Sequence, residues 1–275
     1  MELVVVLAVL VSVTGIVVGL LPNMIHQANV PSCTANITEL DKLIQTFVDT
    51  YSVYPDRMDN LLVGSSLASY VLTGVNGQYA QASIQADTLQ TGEGQALTQG
   101  GMVNLANIIE NPSPGAVTDW RPTFWPYSAS QTTNPTFTPV ADGTPVATLT
   151  QFGCQLMGLT WSNNSAGGTH NRYVIFGLGR PCTLFRNMAS EPPSHFADTP
   201  TEDPATYYMR FGAVYQVSKE VTDASGNWTV VPLTVDRARF MGSVAFHDFG
   251  LATADSHTKE WWDFKKEERP YPINQ

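Results

Sequence analysis

Residues 3–21 read LVVVLAVLVSVTGIVVGLL, 19 positions without a charged side chain. As a helix this run is about 28 Å long, close to the thickness of a bilayer core. It must therefore lie in lipid or against other apolar surface. A secretory signal peptide would carry a basic residue ahead of the run and a small-residue cleavage site behind it. A signal anchor would carry flanking positive charge. This chain instead has Glu2 in front, Pro22 behind, and no Lys or Arg before Lys42. A carboxylate beside hydrocarbon is costly unless paired, so Glu2 requires a cation from another chain or an amino terminus. Ser12, Thr14, Gly15 and Gly19 are small enough for close helix–helix approach. Gly15, Gly19 and Pro22 also weaken the helix locally. These features predict a helix that stacks with copies of itself.

The next stretch repeats apolar residues at three- and four-residue steps: Cys33, Ile37, Leu40, Ile44, Phe47, Val48 and Tyr51. That is one face of an amphipathic helix, with Asp41, Gln45 and Asp49 on other faces. Pro31 marks a kink or break, and Ser32 or Thr34 can cap a new start. Helical segments from Leu3 to about Thr50 would together span roughly 70 Å. The segment closes on YSVYPDRMDNLL, with Tyr54-Pro55 as a turn before Met58, Leu61 and Leu62.

Together these residues resemble the N-terminal segments of type IV pilins and type II secretion major pseudopilins. That family carries a glutamate, an unbroken apolar helix, a proline, an amphipathic continuation and a Tyr-Pro turn. The resemblance covers roughly residues 1–65. The pattern of LLPNM, CTANI and YPDRMDNL is also similar to long pilin-like proteins of planctomycete type. The resemblance implies that Glu2 neutralises the N-terminal amine of a neighbouring subunit. It also implies that Gly15, Gly19 and Pro22 lie where the helix loosens in the filament. The family's leader and first mature residues are not in the sequence, so Met1 is expected to be an internal position. The distance from Glu2 to Pro22 is about one helical turn longer than usual, which leaves the register of any loosened stretch open.

Composition narrows the partners. The net charge is −10, from 14 Lys and Arg against 24 Asp and Glu, which excludes a phosphate-binding nucleic-acid surface. Lys265 and Lys266 form a tight basic pair, and Asp263, Glu267 and Glu268 flank them. With 43% hydrophobic and 14% charged residues, the chain fits a folded extracellular protein. There are three cysteines and no CxxC, so a zinc knuckle is not expected. Cys154 and Cys182 flank a loop and a strand. In an oxidising compartment they would form a disulfide worth roughly 3–4 kcal/mol; the alternative is two buried thiols. Cys33 reads as a small buried residue on the helix.

No GxSxG, HExxH, phosphate-loop or dinucleotide motif occurs, and the chain is not expected to be an enzyme. HDFG at 247–250 matches a kinase magnesium motif without the rest of that set. His247, Asp248, Asp255, His257 and Glu260 are possible metal ligands on what otherwise reads as a solvated turn and helix. The asparagines of three Asn-x-Ser/Thr matches, Asn36, Asn163 and Asn227, are weak glycosylation signals. No cofactor is expected, calcium excepted. DTPTED supplies Asp198, Glu202 and Asp203, oxygen ligands of the kind calcium takes, and the family resemblance implies that calcium could hold a C-terminal loop.

The expected fold is α+β: a long N-terminal helix packed on a C-terminal globular domain with an antiparallel sheet. Residues 1–52 form the helix (1–24 apolar, 25–52 amphipathic) and 53–275 the head. Within the head, 56–111 read as short helices, including MDNLLVGSSLASYVL and GMVNLANII, with TGEGQALTQGG between them as a loop. Residues 112–148 read as an ordered loop anchored by Trp120, Phe124 and Trp125. VATLTQFGCQLMGL is helix or strand. RYVIFGLG, YYMRFGAVYQVS, NWTVVPLTV and RARFMGSVAFHDFG read as strands, with DASGN as a hairpin turn. HTKEWWDFKKEE reads as a closing helix. The function expected is a structural subunit that assembles with itself as a helical homopolymer into a surface pilus or periplasmic pseudopilus. The inner membrane holds it before assembly, and an assembly machinery handles it. The alternative is an envelope binding protein or enzyme that uses the helix as an anchor alone.

Overall fold

Helix α1 runs through residues 35–51 of the structure, a computed structural model that describes residues 35–68, 83–107, 136–161, 171–189, 192–193 and 211–245. Ile37, Leu40, Ile44 and Phe47 fall on its apolar stripe, and all four are buried. Val48 packs partly against the same core, while Tyr51 is 47% exposed at the stripe's end. Asp41 departs from its expected place on another face. Its Oδ1 accepts the backbone N–H of Ser243 at 2.8 Å, so this carboxylate faces the domain.

The expected fold class does not hold. Among the described residues 38% are strand and 25% helix. Helix there is confined to α1 and three shorter segments, Glu93–Gln99 (α2), Gln151–Leu156 (α3) and Thr183–Asn187 (α4). The main sheet is large and mixed, not simply antiparallel. Residues 1–34 lie outside the described residues, and with them Glu2, Gly15, Gly19, Pro22 and Cys33. The same holds for Trp120, Phe124, Trp125, Asn163, Asp198, Glu202, Asp203, the HDFG stretch with its neighbouring ligand candidates, and HTKEWWDFKKEE.

The sheet is organised around strand β8, Arg172–Gly177. On one side β8 pairs antiparallel with the long β9, Phe211–Thr222. β9 then pairs with β10, Trp228–Pro232, and with β11, Arg239–Ala245, along successive stretches. On its other side β8 pairs with two different strands, one at its middle and one at its C-terminal end. Ala147 and Thr148 of β7, Pro145–Leu149, face Ile175 and Val174. Asp59 of β1, Met58–Asn60, faces Gly177. β7 leads on to β4, Ile84–Thr88. β1 leads to β5, Asn104–Asn107, by the parallel pairing, and then to β6, Phe137–Pro139. At this fork the Asn60 amide donates to the Pro145 carbonyl at 3.0 Å, joining the two branches. A separate small pair comprises β2, Leu62–Val63, and β3, Ser66–Leu67. Five of the six β8 residues and the first eight of β9 are buried, as expected of strands with both faces covered.

Three sequence expectations about the middle of the chain fail for tertiary reasons. MDNLLVGSSLASYVL was expected to be helical, yet β1, β2 and β3 occupy it. Gly64 turns the chain with φ 64°, and β1 finds its ladder partners in β5 and β8, far away in sequence. GMVNLANII, also expected as helix, supplies β5. TGEGQALTQGG, expected as a loop, contains α2. Gly92 stands at the α2 N-cap with no side-chain cap of its own. The Asp142 carboxylate supplies the missing acceptors, taking the N–H of Gly92 at 2.8 Å and of Gly94 at 3.0 Å. Gly94 is required there, because a Cβ would stand 2.5–2.9 Å from the backbone of Ala141 and Asp142.

Other readings correspond to observed elements. VATLTQFGCQLMGL divides into β7 and α3, with Thr150 between them capping the helix: its Oγ1 accepts the Gly153 N–H at 3.2 Å. β8, β10 and β11 fall within three of the late runs expected as strands, β9 begins inside YYMRFGAVYQVS and runs past its end to Thr222, and the DASGN turn joins β9 to β10.

Candidate functional site

The part of the molecule that bears on the N-terminal segment is the elbow where α1 meets the sheet. Tyr54 and Pro55 leave α1 and enter the core, both buried. The Tyr54 ring meets Tyr215 of β9 edge-on at 5.1 Å, and its hydroxyl accepts the Phe240 N–H at 3.2 Å. The Tyr54 N–H donates to the Gly100 carbonyl at 2.6 Å. Asp56 then fastens the chain in two directions. Its Oδ1 accepts the N–H groups of Val103 and Asn104, both at 2.8 Å. Its backbone exchanges hydrogen bonds with Thr183 at the start of α4: N–H to Oγ1 at 2.8 Å, and C=O from N–H at 3.0 Å. Gly101, at φ 96°, lets the chain pass beneath Val53, whose Cβ would stand 2.5 Å from a Cβ at that position.

The elbow is also where the backbone is strained. Among the described residues the non-glycine residues with positive φ are Ser52 at 60°, Arg57 at 61° and Arg237 at 62°, and all three belong to this junction. Arg237 reaches from the β10–β11 connection, where Nη1 donates to the Ser52 carbonyl at 2.9 Å. Its guanidinium lies 5.1 Å from the Tyr54 ring centroid. A cation at a helix C-terminus favours the exposed carbonyls there, and a cation over a ring face adds about 0.5–1 kcal/mol at an exposed site. Arg57, on the other flank, lies 4.9 Å over the Phe137 ring.

Magnitudes show which effect wins. A non-glycine residue in the left-handed region costs about 1–2 kcal/mol, so three cost about 3–6 kcal/mol. Burying Ile37, Leu40, Ile44 and Phe47 contributes about 6–12 kcal/mol as an upper bound, and the hydrogen bonds of Tyr54 and Asp56 add to this. The elbow is held closed against its own strain.

A second polar cluster lies under the sheet. Glu93, 1% exposed, receives Arg172 Nε at 2.8 Å on Oε1 and the Gln90 N–H at 2.8 Å on Oε2. The Ser218 hydroxyl donates to the same Oε1. Arg172 also donates to Asp87 at 3.0 Å and to the Thr88 carbonyl at 3.1 Å. Burial alone would lower the Arg172 pKa, but Glu93 and Asp87 outweigh it and hold the guanidinium above its ordinary value. Both Glu93 oxygens are taken up within the protein, so the cluster ties α2, β4, β8 and β9 together.

Cys154 and Cys182, paired on sequence grounds, are both free and buried. Burial pushes both thiols far up, and for Cys182 the Asp59 and Asp56 carboxylates add to the effect. Neither has the lowered pKa of a reactive thiol. Among the described residues no group of three or more His, Cys, Asp or Glu is arranged to hold a metal ion, and no helix is long and apolar enough to cross a membrane. Asn227 lies exposed in the β9–β10 turn, and Asn36 lies on α1.

Comparison with protein-family models, with curated proteins and with solved structures finds no match for the chain. The site therefore rests on its own geometry. Of the residues that form it, the Tyr54-Pro55 turn was visible in the sequence. Ser52, Arg57 and Arg237 carry no comparable sequence signal. YSVYPDR carries some signal through its proline, but nothing marks Arg237 as the partner of a carbonyl 185 positions away.

Proposed function

We propose that the chain is a structural subunit that assembles through its N-terminal segment into a type IV pilus-like or pseudopilus filament, held in the inner membrane before assembly. One observation carries the reading: Glu2 borders 19 uncharged residues, and no Lys or Arg lies between it and Lys42. The charge has to be met from outside the segment, and a repeated contact between identical subunits meets it at every copy. The docking of α1 on the sheet is consistent with this use, because a force on the N-terminal side would pass into the domain through a buried apolar stripe. The partners on this reading are further copies of the chain, the membrane and an assembly machinery. No catalytic activity or cofactor forms part of it.

Replacing the carboxylate tests the proposal. Glu2→Ala is expected to abolish filaments in electron micrographs of sheared surface material while leaving the circular dichroism of the purified chain unchanged. An unpaired charge in an apolar contact costs several kcal/mol, so the loss should be close to complete. Filaments of normal number and length from this variant would overturn the pairing. Wild-type chain found in membrane fractions alone would favour an anchored envelope protein instead.

A further inference from the structure

We infer that Ser52, Arg57 and Arg237 form a rigid elbow that fixes the angle at which α1 leaves the sheet, with Arg237 as its positioning residue. Three observations lead there independently. First, the non-glycine left-handed residues among the described residues all fall at this junction. Such strain persists where the surroundings over-determine the conformation, and it clusters at functional positions. Second, the two sides of the bend are held differently. On the sheet side, Tyr54 and Asp56 are fastened to the start of β5, α4 and the end of α2 by hydrogen bonds from their backbone and from the Asp56 carboxylate. On the helix side, Arg237 holds the chain one residue past α1 through the Ser52 carbonyl, and its guanidinium also lies over the Tyr54 ring. Third, Asp41 takes an N–H of β11 two turns or more further up the helix, giving a second point of fixation. The buried stripe seats α1 on the sheet, and these two separated polar attachments, one at the bend and one along the rod, fix the direction in which it lies.

The consequence is that the helix angle is set in the isolated subunit and carried unchanged into any assembly. Its purpose rests on the filament reading; the rigidity itself is a property of the single chain. The test therefore uses both readouts. Spin labels are placed at Gln45→Cys on the exposed side of α1 and at Ser225→Cys in the β9–β10 turn, in full-length chain with Cys33→Ala, solubilised in detergent. Cys154 and Cys182 are buried and stay unlabelled. The distance distribution between the labels is expected to be narrow. Arg237→Ala should broaden it at least twofold with a change in Tm of only a few degrees, and Arg237→Lys, which keeps a donor and a cation, should recover most of the narrow distribution. Ser52→Gly relieves the strain but frees the backbone, and is expected to broaden the distribution with Tm held.

A distribution that stays narrow in both Arg237→Ala and Ser52→Gly would overturn the elbow, as would broadening that comes only with loss of the sheet's dichroism. If the labels behave as stated and wild-type chain forms no filaments, the filament reading falls and the elbow stands. If filaments form and the Arg237→Ala distribution is unchanged, the reverse holds.

Discussion

The elbow and the Glu93–Arg172 cluster perform the same task at different depths. Each joins segments far apart in the sequence, and each uses an arginine to do it. At the cluster the arginine is 15% exposed and its main partner 1%. There, Arg172 makes three hydrogen bonds to three residues, and Glu93 takes donors on both oxygens. At the elbow, Arg237 makes one hydrogen bond of exposed character and one ring contact. The buried cluster cannot lose a member without stranding a charge in a medium that hydrates it poorly. The elbow can, because water replaces the arginine at the surface. Depth therefore separates a contact that decides whether the sheet forms from one that decides how an already formed part is directed.

The largest expected effect tests the buried side. Arg172→Ala leaves Glu93 without its cation and is expected to lower unfolding stability by about 3 kcal/mol or more, read from the midpoint of a urea titration. Arg172→Ala combined with Glu93→Ala should cost less than the sum of the two single changes, because the stranded charge is gone. A loss below about 1 kcal/mol for Arg172→Ala would place the cluster with ordinary surface pairs and break the contrast with the elbow.

An intermediate effect is expected at Asp142. It is an exposed residue, but its carboxylate accepts two N–H groups at the start of α2. Removing a side-chain cap costs about 0.5–2 kcal/mol, so Asp142→Ala should destabilise by about 1 kcal/mol, with faster amide exchange at Gly94–Leu97. Asp142→Asn retains an acceptor oxygen and should recover part of the loss. Unchanged exchange in α2 would show that the helix depends on Glu93 and its packing alone.

This helix also shows why the middle of the chain was hard to read. TGEGQALTQGG looks like a loop because its caps are not local: Gly92 has no side chain, and the acceptor comes from Asp142, beyond the intervening strands. The same reason misplaces β1 and β5. MDNLL and MVNLANI have helical spacing, but their positions are decided by partners that no window around them contains, and one of those pairings is parallel. What was legible obeyed short-range rules. The α1 stripe is periodic, and Ile37, Leu40, Ile44 and Phe47 are buried as the period requires. β8 after Arg172 and the first half of β9 are rich in apolar and β-branched residues, and DASGN is a turn by composition. Asp41 shows the limit of periodicity: it lies off the apolar face in projection, yet finds a strand-edge N–H. The elbow was half legible, through Tyr54-Pro55, because a proline marks a bend but not what holds it.

The smallest effect is expected at the tip of the β9–β10 hairpin, where a carboxylate of the same kind stands fully in solvent. Asp223 Oδ1 accepts the N–H groups of Ser225 and Asn227, both at 2.8 Å. The hydrogen bond from the Asn227 backbone is the main cause of a pKa below the ordinary aspartate value; desolvation opposes it, and the Asn227 side chain and the Ser225 and Gly226 amides add to the lowering. The sign follows from the depressed pKa. Above the ordinary aspartate value near 4 the carboxylate is charged in both the formed and the opened turn, and the full stabilisation of the turn is present. As pH falls through the lowered folded pKa, the proton binds the opened turn more readily and the stabilisation is lost. Amide exchange or chemical shifts of Ser225 and Asn227 should therefore titrate below pH 4, with strand pairing in β9 and β10 unaffected at neutral pH. Asp223→Asn should remove that titration and leave global stability unchanged. A global loss on this substitution would mean that exposed carboxylates in this fold matter as much as buried ones, and depth would no longer explain why Arg172 and Arg237 differ.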